Sequence, residues 1–159
     1  MVKVLEDNLK SALKYAFKLL GYRDRSRKEL YDRLVRKGFS QGVAEETVSY
    51  LEDRGFVDDA KLAEGLKRDA VERRNFGKRG VKACLVKRGI SGDTADAVAG
   101  AEEEYTGTAQ RLAEKRLRLL KGCDEETVKR RLWGLLARRG FSPDTIKTVM
   151  RSINLKEEL

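Results

Sequence analysis

The chain has 159 residues, and its 35 lysines and arginines exceed its 26 aspartates and glutamates by a formal net charge of +9. Apolar residues make up 40% of the chain and recur with a clear period, which excludes a disordered protein. No apolar run is long enough to cross a bilayer and no signal-peptide pattern opens the chain, so we expect no membrane partner and a cytoplasmic location.

Helices are predicted from the first residues onward. Apolar residues at i, i+3 and i+4 spacing predict a first helix from about residue 4 to Leu20. Ser26 is a favourable N-cap and Glu29 completes a capping box, which predicts a second helix that ends at Gly38. A third helix is predicted over about residues 41–53.

The same order of helices recurs twice along the chain. In the middle part, Asp58 or Asp59 caps the first helix, and the third helix is predicted over about residues 93–104. In the last part, Asp124 caps the second helix and the third begins at Pro143. The pattern contains no strand, so the fold class is predicted to be all-α.

A seven-residue phrase occurs three times, as LVRKGFS, LVKRGIS and LARRGFS. The copies begin at Leu34, Leu85 and Leu136, so each follows the last by 51 residues. A repeat of this length indicates three tandem three-helix repeats, each with a small core, rather than one globule with one active site. The predicted units are residues 1–56, 57–105 and 106–159.

Helix capping explains every residue of the phrase except its two basic residues. The glycine would take the left-handed conformation that ends a helix, and the leucine four residues earlier would contact the Phe or Ile that follows the glycine. The serine would cap the next helix. Two adjacent basic residues fall at the helix end in every copy, where positive charge also suits the helix dipole.

The sign of the charge alternates in phase with the repeat. The net charge is +4 over residues 23–40, −5 over 41–64, +7 over 65–91, −5 over 92–110 and +6 over 111–142. Two interpretations stay open. Basic and acidic helices lie side by side and neutralise each other, or the basic residues form a stripe that faces a polyanion.

No active site is predicted. The chain has no histidine, the commonest general base and metal ligand, and no glycine-rich phosphate loop. Acidic pairs such as Asp58 and Asp59 are explained by capping, and Cys84 and Cys123 have no metal-binding or redox spacing, so we expect reduced thiols. Trp133 is predicted to pack between units. We expect a protein that is not an enzyme, with no catalytic residue, cofactor or metal.

Three groups of residues match the motifs of a known family in order and spacing. They are Ser26-Arg27-Lys28-Glu29-Leu30 with Lys37-Gly38-Phe39, then Gly55-Phe56-Val57-Asp58-Asp59 with Leu62-Ala63, then Arg73-Arg74 and Gly77 with Lys87-Arg88-Gly89-Ile90. Over about residues 11–153 the chain resembles the RecX family, small regulators of the RecA recombinase. Gly80 departs from the family pattern, in which a larger residue is usual, and glycine there lowers helix stability by about 1 kcal/mol relative to alanine.

The resemblance implies an elongated, curved molecule, and we expect a monomer. It implies binding to RecA filaments on single-stranded DNA, which inhibits filament extension, ATP hydrolysis, strand exchange and the stimulated cleavage of repressor. Two alternatives stay open. One is a DNA-binding helical repeat protein that acts independently of RecA, and the other is a solenoid that binds an acidic protein.

The residues predicted to contact DNA phosphates or acidic RecA surfaces are the three repeated basic pairs and four residues of the central unit. They are Arg36, Lys37, Lys87, Arg88, Arg138 and Arg139, with Arg73, Arg74, Lys78 and Arg79.

Overall fold

The computed structural model describes residues 2–153, with side chains from residue 8 onward, and every regular element in that range is helical. The α-helices are α1 (Val2–Leu20), α2 (Arg27–Lys37), α3 (Gln41–Asp53), α4 (Asp59–Glu72), α5 (Lys78–Lys87), α6 (Gly92–Ala99), α7 (Thr106–Leu117), α8 (Glu125–Arg138) and α9 (Pro143–Ser152). Two short 3₁₀ helices, Glu102–Tyr105 and Arg118–Leu120, flank α7. The all-α prediction is confirmed.

These helices pack in three groups of three, in chain order. Unit 1 contains α1 to α3, unit 2 contains α4 to α6, and unit 3 contains α7 to α9. The 3₁₀ helix 102–105 contacts α7 and α9, so it is described with unit 3. The boundaries after residues 56 and 105 stay a prediction.

The repeated phrase forms the same turn in each unit. Gly38, Gly89 and Gly140 have φ angles of 108°, 80° and 85°, in the left-handed region where a side chain would be strained. In the first copy the amide of Phe39 donates to the carbonyl of Leu34 at 3.2 Å, and the later copies repeat this bond at 3.1 and 3.2 Å. The predicted helix endings are therefore confirmed.

Serine hydroxyls begin four of the helices at the predicted residues. Ser40, Ser91 and Ser142 accept hydrogen bonds from backbone amides of the next turn at 3.3, 3.2 and 3.1 Å. Ser26 and Glu29 form the predicted capping box at the start of α2. These bonds satisfy amides that have no partner inside their own helix.

The third helix of unit 2 is shorter than predicted. α6 ends at Ala99, whereas the periodicity predicted a helix to residue 104. Gly100 follows with a φ of 72° and a ψ of −155°, a conformation that a helix cannot contain. The carboxylate of Glu104 then accepts a hydrogen bond from the amide of Ala101 at 3.0 Å and begins the 3₁₀ helix.

The described residues bury two apolar cores, where three were predicted. The first core lies within unit 1 and includes Leu30, Leu34 and Leu51. The second is shared by units 2 and 3, and it includes Leu85 of α5 and Leu132 of α8. Units 2 and 3 therefore form one packed body, and unit 1 adjoins it with a core of its own.

The composition of α6 explains the shared core. The residues that α6 buries are Ala95 and Ala99, which are both small. Tyr105, from the 3₁₀ helix of unit 3, is 1% exposed and donates its hydroxyl to the carbonyl of Ala99 at 2.6 Å. A large ring from unit 3 thus packs where α6 offers only small side chains, as close packing of an interior requires.

The middle helices α2, α5 and α8 are joined end to end. The turn that ends α8 lies on the first turn of α5, where the amide of Gly77 donates to the carbonyl of Arg139 at 2.9 Å and that of Arg79 to Gly140 at 3.1 Å. The turn that ends α5 lies on the start of α2, where a Cβ on Gly89 would lie 2.7 Å from the hydroxyl oxygen of Ser26, the N-cap of α2. We call these contacts junction 2/3 and junction 1/2. Amides and carbonyls that helix ends leave unpaired satisfy each other at junction 2/3.

Junction 2/3 explains the unusual glycine at position 80. A Cβ on Gly80 would lie 2.5 Å from the carbonyl oxygen of Arg139 and 3.1 Å from the Cβ of Phe76. A larger residue would therefore force α8 away from α5. Gly80 lowers helix propensity but allows the two backbones to make contact.

The end-to-end arrangement leaves much of the chain accessible to solvent. The protein exposes 10174 Å², whereas a compact protein of its mass, 18.0 kDa, would expose about 8,000 Å². This larger surface is consistent with an elongated array.

Candidate functional site

The repeated basic pairs occupy two kinds of position. The first residue of each pair, at Arg36, Lys87 and Arg138, is exposed and has no hydrogen bond or ion pair with any other described residue. The second residue, at Arg88 and Arg139, is half-buried at a junction between units. The first residues are free to bind a partner, whereas Arg88 and Arg139 already have partners within the chain.

Arg88 connects unit 2 to unit 1. Its Nε donates to the carboxylate of Glu29 at 3.0 Å, and a terminal nitrogen donates to the carbonyl of Asp24 at 2.9 Å. Burial raises the pKa of the Glu29 carboxyl, but hydrogen bonds from Arg23, Arg88 and a backbone amide outweigh burial and hold that pKa below its usual value. Glu29 therefore stays charged at neutral pH and holds Arg88 at junction 1/2.

Arg139 connects unit 3 to unit 2 in a similar way. Its guanidinium donates to the carbonyl of Arg74 and lies 5.8 Å from the centroid of the Phe76 ring. Its own carbonyl accepts the hydrogen bond from Gly77 described above. The second basic residue of the phrase thus binds the preceding unit in both later copies.

The first copy of the phrase ends α2, at the end of the row of middle helices where no further unit follows. No described residue approaches within 4 Å of a Cβ built on Gly38, and Arg36 and Lys37 are both exposed. The Nζ of Lys37 lies 5.6 Å from the centroid of the Tyr15 ring, within its own unit. Both basic residues of this copy are therefore available to a partner.

Junction 2/3 gathers six of the ten predicted residues, since the turn before α5 meets the end of α8 there. They are Arg73, Arg74, Lys78, Arg79, Arg138 and Arg139. Arg73 and Arg74 approach Asp69 at 3.4 and 3.5 Å, which are weak surface contacts. The remaining four lie at junction 1/2, with Lys87 and Arg88, and at the free end of α2, with Arg36 and Lys37.

Unit 3 also contains a basic pocket that the repeat did not predict. A cavity of about 340 Å³ lies between α7 and α8. Its lining consists of Arg116, Arg130, Arg131, Gly134, Leu135 and Arg138. Of these, only Arg138 was a predicted contact. The net charge of +6 over residues 111–142 was the available signal, but it did not show which arginines converge.

Ion pairs decide between the two interpretations of the alternating charge, and the answer differs among the units. In unit 1, Arg27 of α2 pairs with Glu45 and Glu52 of α3. In unit 2, Lys82 of α5 pairs with Asp96 of α6 at 2.5 Å. Mutual neutralisation therefore applies to Arg27 and Lys82, whereas Arg36 and Lys87 on the same helices stay unpaired.

Unit 3 lacks the acidic residue that makes these pairs. Glu45 and Asp96 are 51 residues apart, and the next position in this register is Lys147. The carboxylate that neutralises the middle helix in units 1 and 2 is thus replaced by a cation in α9. The arginines of α8 accordingly lack that source of neutralisation.

Two aromatic side chains are largely exposed, and for Trp133 this differs from the prediction. Trp133 is 40% exposed and does not pack between units, because Leu132 and Leu136 occupy the inward positions of α8. Phe56 is 53% exposed and its ring meets that of Phe17 edge-on, with centroids 5.0 Å apart.

The described residues offer no arrangement of carboxylates and thiols that could hold a metal ion. Cys84 and Cys123 are both free and partly buried. Within residues 2–153 no helix combines the length and the apolar character that a bilayer crossing requires.

Comparison with known proteins identifies two segments of the chain. Residues 12–51 match the family model of the RecX first three-helix domain, and residues 102–150 match that of the RecX third three-helix domain. The chain is 35% identical over 138 residues to "Regulatory protein RecX" of Chlorobium limicola, which covers 86% of this chain and 85% of that protein. It is 34% identical over 156 residues to the protein of the same name from Amycolatopsis mediterranei, which covers 97% and 86%.

A solved structure shares the fold. The crystal structure of RecX from Lactobacillus salivarius superposes with a TM-score of 0.86 at 24% identity, over 94% of this chain and 99% of that one. The two domain matches, the identities over most of both chains and the shared fold agree with one another. The chain belongs to the RecX family of regulatory proteins.

Proposed function

We propose that the protein binds RecA filaments on single-stranded DNA and inhibits their extension, ATP hydrolysis, strand exchange and coprotease activity. Membership of a family of regulatory proteins supports a regulatory role. The choice of partner follows from the resemblance of the motifs, and we propose that the protein acts as a monomer and by binding, not by catalysis.

One observation carries the proposal most directly: exposed, unpaired cations recur along the series of middle helices. Arg36, Lys87 and Arg138 hold the same place in the three copies of the phrase. Successive middle helices meet end to end, and α5 with its ten residues is about 15 Å long, so the cations follow one another at intervals of roughly that length. Such spacing suits an extended anionic partner better than a small ligand.

The proposal is tested by adding the purified protein to RecA, single-stranded DNA and ATP. We expect stoichiometric protein to lower the rate of ATP hydrolysis and the yield of strand exchange. Unchanged rates would refute the proposed function.

A double variant, Arg36→Glu with Lys87→Glu, tests the exposed cations. We expect it to weaken inhibition while its helicity stays unchanged, because neither side chain has a partner within the described chain. Lys14→Glu with Lys18→Glu is the matched control, since both lysines are exposed on α1 and the change in charge is equal. Lys87 is a better target than Arg88, because loss of Arg88 would also disturb junction 1/2.

A second candidate function is DNA binding without RecA, and the basic pocket of unit 3 favours it. Four arginines that converge without acidic neighbours in the lining suit a phosphate group. Tight, salt-sensitive binding to bare DNA, with no effect on RecA, would select this alternative. The two functions are compatible, since a RecA filament on DNA presents both protein and phosphates.

A further inference from the structure

The arginine pocket of unit 3 has the lining expected of an anion-binding site. Three of its arginines, Arg130, Arg131 and Arg138, come from α8, and Arg116 comes from the last turn of α7. Four guanidinium groups from two helices thus line one cavity, and no acidic residue lines it. All four arginines are exposed, so their positive charges face solvent and can attract an anion.

Most donors of these arginines are unused within the described chain, although the charge of Arg130 interacts with the Asp124 carboxylate. Arg116, Arg130 and Arg138 make no hydrogen bond or ion pair with any described residue, and Arg131 reaches only the thiol of Cys123, at 3.7 Å. Arg27, by contrast, pairs with two glutamates. The pocket therefore combines positive charge with unused donors.

A glycine is among the residues that line the pocket. Gly134 lies inside α8, where glycine lowers helix stability relative to alanine. A Cβ at this position would lie 3.1 Å from a terminal nitrogen of Arg138. Gly134 thus leaves room for the guanidinium of Arg138 to lie over this turn of the helix.

We propose that this pocket binds a backbone phosphate of single-stranded DNA. The planar guanidinium presents paired N–H donors that match two phosphate oxygens, and several of them can surround one phosphate from different sides. The choice of single-stranded DNA as the source of the phosphate rests on the proposed function, whereas the chemistry of the pocket does not.

The test measures binding of a fluorescein-labelled oligothymidylate by anisotropy at several salt concentrations, without RecA. The pocket variants are Arg130→Gln with Arg131→Gln, and separately Arg116→Gln, which changes the pocket from its other helix. The control variant is Arg68→Gln with Arg151→Gln, since both arginines are exposed and lie outside the pocket. Circular dichroism checks that all variants keep their helicity.

We expect each pocket variant to bind the oligonucleotide about tenfold or more weakly, since a charge-assisted hydrogen bond is lost. The slope of log K against log salt should fall by about 0.7 for each phosphate contact removed. The control should stay within about threefold of the wild type, because exposed charges far from the ligand are screened. If pocket and control variants weaken equally, or none weakens, the proposal is overturned.

Inorganic pyrophosphate, at matched ionic strength, distinguishes a strand from a small phosphate. If the pocket variants lose binding of pyrophosphate but keep full affinity for the oligonucleotide, the assignment to DNA is wrong. If the wild type leaves RecA unaffected while the pocket variants lose the oligonucleotide, the proposed function fails and the pocket assignment stands. If the pocket variants bind the oligonucleotide more weakly and also inhibit RecA less, the proposed function and the pocket assignment are both supported.

Discussion

Replacing Gly80 by alanine tests whether contact between backbones holds units 2 and 3 together. Gly80 lies in the first turn of α5, and an added Cβ would come within 2.5 Å of the Arg139 carbonyl oxygen. That oxygen belongs to the backbone of another helix and cannot rotate aside, so α8 must move. The shift would lengthen the hydrogen bonds of 2.9 and 3.1 Å that join the two helices.

The expected loss follows from three opposing contributions. Alanine gains at most about 1 kcal/mol over glycine from helix propensity. Overpacking of a closely packed contact costs about 1–3 kcal/mol. Weakening two hydrogen bonds between backbones costs about 1 kcal/mol for each. The free energy of unfolding should therefore fall by roughly 2–4 kcal/mol.

Gly134→Ala is the matched control, because the same substitution in α8 meets only the flexible end of Arg138, at 3.1 Å. We expect it to raise the free energy of unfolding by up to about 1 kcal/mol. Urea unfolding followed by circular dichroism at several protein concentrations measures both variants. If Gly80→Ala is as stable as Gly134→Ala, the backbone contact at junction 2/3 does not constrain position 80.

Three further predictions concern buried polar groups and the junctions. Burial raises the pKa of Tyr105 from 10.0 to about 12, so the stability that its neutral hydroxyl contributes is lost as pH rises through that window. Tyr105→Phe should lose about 1 kcal/mol at neutral pH, since the Ala99 carbonyl loses its donor, but should flatten alkaline unfolding between pH 10 and 12. The lowered pKa of Glu29 contributes stability above pH 4.5, and this stability is lost as the pH falls through the pKa of the folded state. Glu29→Gln should therefore make acid unfolding less steep below pH 4.5. An unchanged unfolding profile would contradict this. Arg88→Ala should lower stability by about 1–2 kcal/mol while Lys87→Ala changes it by less than about 0.5 kcal/mol in urea titrations, and equal effects would disprove the division of the basic pairs.

Local signals predicted most of the fold. The cap residues Ser26, Ser40 and Asp124 begin helices where expected, because their hydroxyl or carboxylate oxygens bind amides only a few residues away. Gly38 and its two repeats end helices for an equally local reason. The predicted end of α6 was wrong, because a glycine such as Gly100 can also lie within a continuous helix. Only the structure shows that its backbone leaves the helical conformation.

The candidate site was predicted only in part. The recurrence of Arg36, Lys87 and Arg138 follows from the repeat, but the contacts of Arg88 and Arg139 at the junctions do not. Arg88 and Arg139 share their sequence context with the exposed residues beside them, and a neighbouring unit alone distinguishes them. Sequence position could not reveal this difference, because it depends on contacts across more than fifty residues.

The sequence by itself determined the helices, their caps and the order of the three units, because those depend on hydrogen bonds and periodicity within one or two turns. Tertiary structure decided how the units meet. It showed that Gly80 allows backbone contact, that Tyr105 completes the core of unit 2, and that Arg116 joins three arginines of α8. Each of these depends on distances between helices that are far apart in the chain, and residue types along one helix do not specify such distances.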